Sequence, residues 1–282
     1  MQNRLVYIKI RIADSWKEEL VLSAVSRIEN KIKQNWFLFS ELVKRDFKEK
    51  YKRTALGMVW SLLSPLLNLF VMSMVFSHFF RRKMVHYTIY LFSGNIIMSY
   101  FVESTKGGMS ALMNNSKIFS KINVSKYLFV LSKSVSSLIN FMLTMIVYFI
   151  FIKLDHLHYT WKYFMLPYPV ICLTVFCIGV SLCLSALYVF FRDTQYLYDV
   201  FLTLLRYLSA IFYSIETFSP KAQRMFLFNP VYVFIKYFRL IVIEDKVPSL
   251  AYHGLCFFYA AFFMSLGLWI YKRYNHQFIY YI

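Results

Sequence analysis

Most residues of this 282-residue chain that could take part in chemistry lie within or beside long apolar segments. Glu103 and Lys106 are three residues apart, and Asp199 and Arg206 are seven apart, so each pair falls on one face of a helix. Glu103 and Lys106 can therefore form an ion pair. Charged side chains inside an apolar segment usually face a protein interior or a water-filled path. Alternatively, Glu103 and Lys106 mark the cytoplasmic end of their segment, where the long lysine side chain reaches the headgroups.

Catalytic and metal-binding patterns are weak. Asp155, His156 and His158 could nominally ligate a metal, but loops between hydrophobic segments often carry histidine, and we expect no metal site. The four cysteines lie in apolar runs without metal-ligand spacing, which favours a packing role. The sequence contains no G-x-x-x-x-G-K followed by Ser or Thr, no H-E-x-x-H and no G-x-S-x-G. We therefore expect neither enzymatic activity nor a cofactor on this chain, and favour a transport pathway driven by the ATPase of another subunit.

Composition indicates a membrane protein. Hydrophobic residues make up 59% of the chain and charged residues 16%, against roughly 25% charged residues in soluble domains. The formal net charge of +18 raises nucleic acid as a partner. However, 13 of the 32 Lys and Arg lie in residues 1–53, and others flank the apolar segments. That distribution is typical of a protein on anionic lipid, so we expect membrane lipid and no nucleic acid as partners.

The hydropathy pattern predicts an all-α integral membrane protein with six transmembrane helices. Residues 1–53 form a cytoplasmic and interfacial N-terminal region, and residues 54–282 form the transmembrane domain. Aromatic and aliphatic residues alternate with basic ones at helical spacing over 31–53, which predicts an amphipathic interfacial helix. The excess of basic residues near the N-terminus places both termini in the cytoplasm. The six predicted spans are 57–80, 87–112, 127–152, 166–191, 194–213 and 250–271.

Residues 217–243 do not fit an ordinary span. They are apolar but contain Lys236 and Arg239, each of which costs ~2.5–3.5 kcal/mol at the centre of a spanning helix. We interpret them as a re-entrant helical segment between spans five and six, split near Asn229-Pro230 and buried in protein. The alternative is a seventh span.

Five stretches of the chain share an order of motifs with a known family. They are 45–80; 87–126, with Tyr90-Leu91-Phe92-Ser93-Gly94; 191–213, centred on Phe191-Arg192-Asp193; Phe228-Asn229-Pro230 through Arg239; and 271–282. Together they cover most of the chain after residue 44. In these stretches the chain resembles the ABC-2-type permeases that export polysaccharides and polyol phosphates in O-antigen, teichoic acid or capsule exporters.

The resemblance implies a homodimer of six-span subunits in the bacterial cytoplasmic membrane, bound to a separate ATP-binding subunit that holds the ATP and magnesium. It implies export of a glycan or polyol-phosphate polymer, commonly on an undecaprenyl pyrophosphate-type lipid. Two alternatives stay open. One is an ABC-2 permease for a small drug or peptide. The other is a polytopic membrane glycosyltransferase or acyltransferase, which would need a catalytic carboxylate or histidine cluster at the interface.

Three sets of residues are candidates for function. Charged residues of the interfacial helix and of the turn after span four can meet a lipid headgroup or the substrate, and these are Arg45, Lys48, Arg192 and Asp193. The polar loop 113–126 can dock into an ATPase subunit through Asn115, Lys117, Phe119 and Lys121. The re-entrant segment can close the outer end of the pathway, with rings for a passing glycan and a cation for headgroups or polymer phosphates, through Tyr232, Phe234, Tyr237, Phe238 and Arg239.

Overall fold

The computed structural model describes residues 33–281 except 51, 53, 55, 81–85, 120–123 and 217. Within these residues every regular element is a helix, which confirms the predicted all-α class. In chain order the helices are α1 (33–50), α2 (Trp60–Phe80), α3 (Tyr87–Asn114), α4 (Ser116–Phe119), α5 (Tyr127–Leu154), α6 (Pro167–Phe190), α7 (Thr194–Leu208), α8 (Pro220–Phe226), α9 (Pro230–Val242) and α10 (Leu250–Tyr274). Short 3₁₀ turns precede α2 and α6 and follow α10, at Gly57–Val59, Trp161–Met165 and Gln277–Ile279.

Three of these helices are long and apolar enough to cross a membrane, namely α5, α6 with the turn before it, and α10. The pair α8–α9 makes a fourth candidate if it counts as one span, although its halves meet at 107°. The break lies at the predicted Asn229-Pro230. Proline begins α9 because the first helical position needs no partner for its backbone nitrogen. The Asn229 side chain accepts hydrogen bonds from the backbone N–H groups of Val231 and Tyr232, which caps the new helix.

The sequence places the ends of α3, α5, α6 and α10 within three residues of where the structure has them. The fifth predicted segment, 194–213, is wrong at its end, because α7 stops at Leu208. The 15 residues of α7 extend about 22 Å, less than the roughly 30 Å of a hydrocarbon core. The chain then turns at Ala210, whose φ is 50°. The Ala210 carbonyl group accepts a hydrogen bond from Arg239 instead of one from its own helix.

α3 and α6 form the centre of the bundle. α6 packs along α10 and along α3, and α3 packs along α5. Small residues allow the closest of these contacts. A Cβ atom on Gly179 would lie 2.4 Å from backbone atoms of Phe263 and Met264, so α6 and α10 touch through their main chains. A Cβ atom on Gly108 would lie 2.4 Å from the side chain of Ser181, where α3 meets α6.

An ion pair and hydrogen bonds connect the loop after α5 with the loop after α9. The Asp245 carboxylate accepts a hydrogen bond from Thr160 Oγ1 at 2.9 Å and lies 3.0 Å from Lys162 Nζ. Hydrogen bonds from Lys162 and Thr160 lower the pKa of Asp245 below its ordinary value. Partial burial raises the pKa of Glu244, but the hydrogen bonds and positive charges of Lys236 and Lys246 together outweigh burial and lower the pKa below its ordinary value. Both carboxylates therefore stabilise the fold at neutral pH, and this contribution is lost as the pH falls through their lowered pKa values.

Replacing Gly179 with Ala tests the contact between α6 and α10. The added methyl group must displace backbone, so the free energy of unfolding should fall by about 1–3 kcal/mol. Gly254→Ala is the matched control on α10, because a Cβ atom there meets nothing within 4 Å. It should leave stability unchanged or raise it by up to about 1 kcal/mol through helix propensity. The measurement is the unfolding midpoint of the full chain in detergent, and equal midpoints for Gly179→Ala and the unmodified chain would contradict the close contact.

Candidate functional site

A cavity of about 400 Å³ lies between α2, α3 and α5, and the end of α1 closes one side of it. Each of the three helices contributes a row of polar side chains at helical spacing, all of them hydroxyl or amide groups except one carboxylate. The rows are Ser61, Ser64 and Asn68 on α2; Asn95, Ser99 and Glu103 on α3; and Ser137, Asn140 and Thr144 on α5. Residues three or four apart share a helix face, so each row forms a polar stripe along its helix. The three stripes meet, and the cavity is the space that they line.

Sequence reasoning singled out Glu103 and missed the rest of the cavity. The signal was nevertheless present, because α2, α3 and α5 carry these polar residues at intervals of three or four. Averaged hydropathy conceals such a stripe, since the apolar residues between its members dominate the mean. Polar side chains inside a membrane-spanning bundle usually face its interior or a water-filled cavity, and a regular row of them marks that face.

Glu103 and Lys106 do not pair with each other as the sequence suggested. Glu103 Oε2 lies 2.9 Å from Lys50 Nζ at the end of α1, and its Oε1 accepts a hydrogen bond from Asn140 Nδ2 at 2.8 Å. Lys106 Nζ lies 2.6 Å from the Asp199 carboxylate on α7. Of the two original interpretations, the one in which Glu103 faces an interior path agrees with the structure, because this carboxylate lines the cavity.

Aromatic rings complete the wall of the cavity. The rings of Tyr100 and Phe141 have their centroids 4.7 Å apart and are tilted by 31°, and Trp60 and Phe92 also line the space. The Tyr100 hydroxyl donates to Thr174 Oγ1 at 3.3 Å, which holds that ring in place. Flat apolar faces beside hydroxyl and amide groups suit a ligand that has apolar faces and many hydroxyl groups.

The residues that were predicted to meet a lipid or substrate headgroup lie outside the cavity. Arg45 Nη2 lies 2.8 Å from the buried Asp46 carboxylate, which also accepts a hydrogen bond from Ser132 Oγ at 3.1 Å and lies 3.0 Å from Lys133 Nζ. Arg45 therefore belongs to the attachment of α1 to α5. Lys48 is exposed.

Arg192 and Asp193 are both exposed in the turn between α6 and α7. The Arg192 guanidinium lies 5.6 Å from the centre of the Tyr188 ring, within the range of a cation–π contact.

The predicted coupling loop contains the short helix α4. Asn115 is buried, and its Nδ2 donates to Ala111 O at 2.8 Å, so this residue ends α3. Lys117 is exposed on α4. Phe119 is the last residue of α4, and Lys121 lies outside the described residues.

The four rings of α9 that were predicted to meet a passing glycan are not accessible to one in this structure. Their side chains are packed in the interior of the bundle, and the residues concerned are Tyr232, Phe234, Tyr237 and Phe238. They are buried because α9 packs against α3, α6 and α10 instead of lining an open mouth.

Arg239 is buried as well and does not reach headgroups. Its guanidinium donates to Ala210 O at 2.8 Å, to Tyr90 O at 3.1 Å and to Ile211 O at 3.3 Å. It also stacks on the Tyr90 ring at 3.4 Å from the ring centre. The carbonyl groups after α7 have left their helix, and Arg239 satisfies them.

Asp155, one of the residues considered as a metal ligand, pairs with His86. The distance from His86 Nδ1 to Asp155 Oδ2 is 2.7 Å. This contact joins the start of α3 to the end of α5. Among the described residues, no group of three or more His, Cys, Asp or Glu could hold a metal ion.

An all-helical membrane protein with a polar cavity inside its bundle has the architecture of a transport protein. The ABC-2 type transporter family model matches residues 38–243, which is most of the chain, and the chain belongs to that family. This confirms the resemblance drawn from the motifs. Among curated proteins, the chain is similar to an O-antigen export system permease protein RfbA of Myxococcus xanthus, with 25% identity over 79% of this chain and 86% of that protein. It is also similar to an RfbA of Klebsiella pneumoniae, with 26% identity over 86% of this chain and 95% of that protein.

Proposed function

We propose that this chain is the transmembrane permease subunit of an ABC exporter that moves a lipid-linked polysaccharide or polyol-phosphate polymer across the bacterial cytoplasmic membrane. The observation that carries the proposal is the cavity between α2, α3 and α5, with its three polar stripes and its aromatic wall. Hydroxyl and amide groups in three rows can exchange hydrogen bonds with sugar or polyol hydroxyls, and the rings can contact their apolar faces. Membership of the ABC-2 type family and the O-antigen export names of its relatives support the same class of cargo.

The alternatives are less well supported. A small apolar drug would offer no hydrogen-bonding partners to the rows of hydroxyl and amide groups that line this cavity. A membrane glycosyltransferase or acyltransferase would need a reactive carboxylate or histidine cluster, and Asp155 is instead engaged with His86. An export role therefore explains the chemistry of the cavity better than either alternative.

The proposed exporter contains two copies of this chain and a separate ATPase subunit. The chain forms a homodimer, with residues 1–53 at the cytoplasmic face and 54–282 in the membrane. It has six spans, the fifth made of α7 together with the non-helical residues that follow it, with α8–α9 as a re-entrant pair and both termini in the cytoplasm. ATP and magnesium bind a partner ATPase, which docks on the loop 113–126 through Asn115, Lys117, Phe119 and Lys121. Arg45, Lys48, Arg192 and Asp193 meet lipid or substrate headgroups at the cytoplasmic surface, and α9 belongs to the outer gate as a packed element.

The cargo is tested by isosteric changes in the cavity. Asn95→Leu and Thr144→Val each remove polar groups from the lining. Each should reduce the amount of polymer at the cell surface about three- to tenfold, because each lost hydrogen bond weakens substrate binding by ~0.5–1.5 kcal/mol. Surface polymer is measured in cells that rely on this permease, relative to the amount of variant in the membrane.

Thr203→Val on α7 is the matched control for Thr144→Val. Both hydroxyl groups donate to the carbonyl four residues earlier, at 3.1 Å and 2.9 Å. Thr203 lies on the exposed surface of α7 and not in the cavity. Export at the unmodified level by both cavity variants would contradict a substrate role for the cavity.

Topology and partner docking are tested by single cysteines at Lys117 and Lys272. A membrane-impermeant thiol reagent should modify neither cysteine from outside intact cells, and it should modify both in inside-out vesicles that have been washed with urea. A bound ATPase subunit should shield position 117 but not position 272, and washing peripheral proteins from the vesicles with urea should remove that shielding. Modification at position 272 from outside would mean that 217–243 crosses fully, and the six-span topology would then be wrong. If the urea wash left modification at position 117 unchanged, this loop would not be the docking element.

A further inference from the structure

Charge is confined to one end of the cavity. Among the described residues that line it, only Lys50 and Glu103 carry a charge, and the others are neutral polar, aliphatic or aromatic side chains. Both charged residues lie where the end of α1 meets α3. From Glu103 the polar stripe of α3 runs through Ser99 to Asn95, a distance of about 12 Å along the helix. The cavity thus has a charged mouth and a neutral hydroxyl-lined interior.

The Lys50–Glu103 pair is not sealed from solvent. The side chains of Lys50 and Glu103 are 41% and 36% exposed, and ion pairs at that exposure contribute little to stability because water competes for both charges. Asn140 is buried and holds the second oxygen of Glu103. The carboxylate therefore keeps one partner when Lys50 moves away, which makes the separation of Lys50 from Glu103 easier still.

The pair is not needed to hold α1 in place. One helical turn earlier, the buried Asp46 already joins α1 to Ser132 and Lys133 of α5. Leu42 is buried in the same region, in a cluster that includes Phe129 of α5. The contacts of Asp46 and Leu42 therefore attach α1 to the bundle independently of Lys50, and a second, solvent-exposed ion pair adds little to that attachment.

We infer that Lys50 is a substrate-binding residue that binds the phosphate of an incoming phosphorylated saccharide. Glu103 pairs with the Lys50 ammonium group until the phosphate takes the place of the Glu103 carboxylate. A phosphate group carries up to two negative charges and three acceptor oxygens, so it competes well with a single carboxylate for a lysine. The hydroxyl groups of the saccharide then lie along the polar stripes of α3 and α5. This inference rests on the proposed function and adds to it the residue that recognises the phosphate end.

The test compares glucose 1-phosphate with its neutral counterpart methyl glucoside on the full chain in phosphatidylcholine nanodiscs. The unmodified chain should bind glucose 1-phosphate more tightly than methyl glucoside. Lys50→Gln should abolish that preference, and Glu103→Gln should increase it about tenfold, because the Glu103 carboxylate no longer competes with the phosphate for the ammonium group. The preference is the ratio of the two affinities on one variant, so a general change of the cavity alters both sugars alike, and measurable methyl glucoside binding reports that the cavity is intact.

Lys246→Gln is the matched control. Lys246 is also an exposed lysine in an ion pair, at 3.1 Å from Glu244, but it lies in the loop after α9 and outside the cavity. It should retain the preference of the unmodified chain. If Lys50→Gln retains the preference, or if Glu103→Gln lowers it as Lys50→Gln does, the pair is a tether and the inference is overturned.

A lipid phosphate could also compete for Lys50, and the nanodisc composition separates the two sources. With phosphatidylglycerol in place of phosphatidylcholine, the preference for glucose 1-phosphate should persist. If it disappears only in the anionic lipid, Lys50 binds a membrane headgroup and the saccharide assignment is wrong. Failure of both sugars to bind any form overturns the inference as well. The proposed export function would still be decided separately, by surface polymer in Asn95→Leu and Thr144→Val cells.

Discussion

Polar groups inside an apolar bundle need partners within the protein or in water that the protein encloses, because hydrocarbon offers none. Two features of this chain follow from that constraint. The turn after α7 has left its helix, and its carbonyl groups are satisfied by the buried guanidinium of Arg239. One row of hydroxyl and amide side chains from each of α2, α3 and α5 lines a single cavity, where these groups can meet water or a polar ligand. The first feature fixes the shape of the bundle, and the second gives it an interior in which a polar cargo can be accommodated.

The cavity is connected to the end of the bundle where α1 attaches. Asp46 joins α1 to α5, and the last turn of α1 supplies Lys50 to the mouth of the cavity. The same end holds a compact apolar cluster that includes Leu42, Leu112 near the end of α3, and Phe278 of the C-terminal tail. Lys126 at the start of α5 donates to Asn275 O and lies over the Phe278 ring. A movement of the loop 113–126 would therefore act on α3 and α5 together, the two helices that form most of the cavity wall.

The sequence predicts the long helices well because their ends are set by local signals. Pro167 begins α6, and Asp155 and the residues after it end α5, within two residues of the predicted positions. The short length of α7 was not predictable from hydropathy, because it depends on Arg239, which is distant in sequence and binds the Ala210 carbonyl. The burial of Tyr237 was missed for a related reason. Hydropathy shows that a ring prefers an apolar environment, but it does not distinguish the packed side of α9 from a side that lines a pathway.

The partners in the ion pairs could not be predicted from the sequence either. Spacing predicts that Glu103 and Lys106 can reach each other, yet each pairs with a residue on another helix, Lys50 and Asp199. The periodic hydroxyl and amide residues were readable in principle, since the interval of three or four is visible in the sequence of α2, α3 and α5. The sequence does not show that the three rows meet around one cavity, because that depends on which faces of the three helices pack toward each other.

A cavity that accommodates a polar cargo must be filled with water and not with lipid tails, and this holds for the cavity between α2, α3 and α5 if the proposed function is right. The most direct measurement compares the rates at which a water-soluble, charged thiol reagent modifies Ser99→Cys and Ile146→Cys in native membranes. Both positions are exposed on the isolated chain, but Ser99 lines the cavity and Ile146 does not. The native cysteines are buried or half-buried in the bundle and provide a low background. The thiol of Ser99→Cys should react at least tenfold faster than the thiol of Ile146→Cys, because a thiolate forms readily only in contact with water. Equal and slow rates at the two positions would mean that the cavity is closed to water and cannot accommodate a polar cargo.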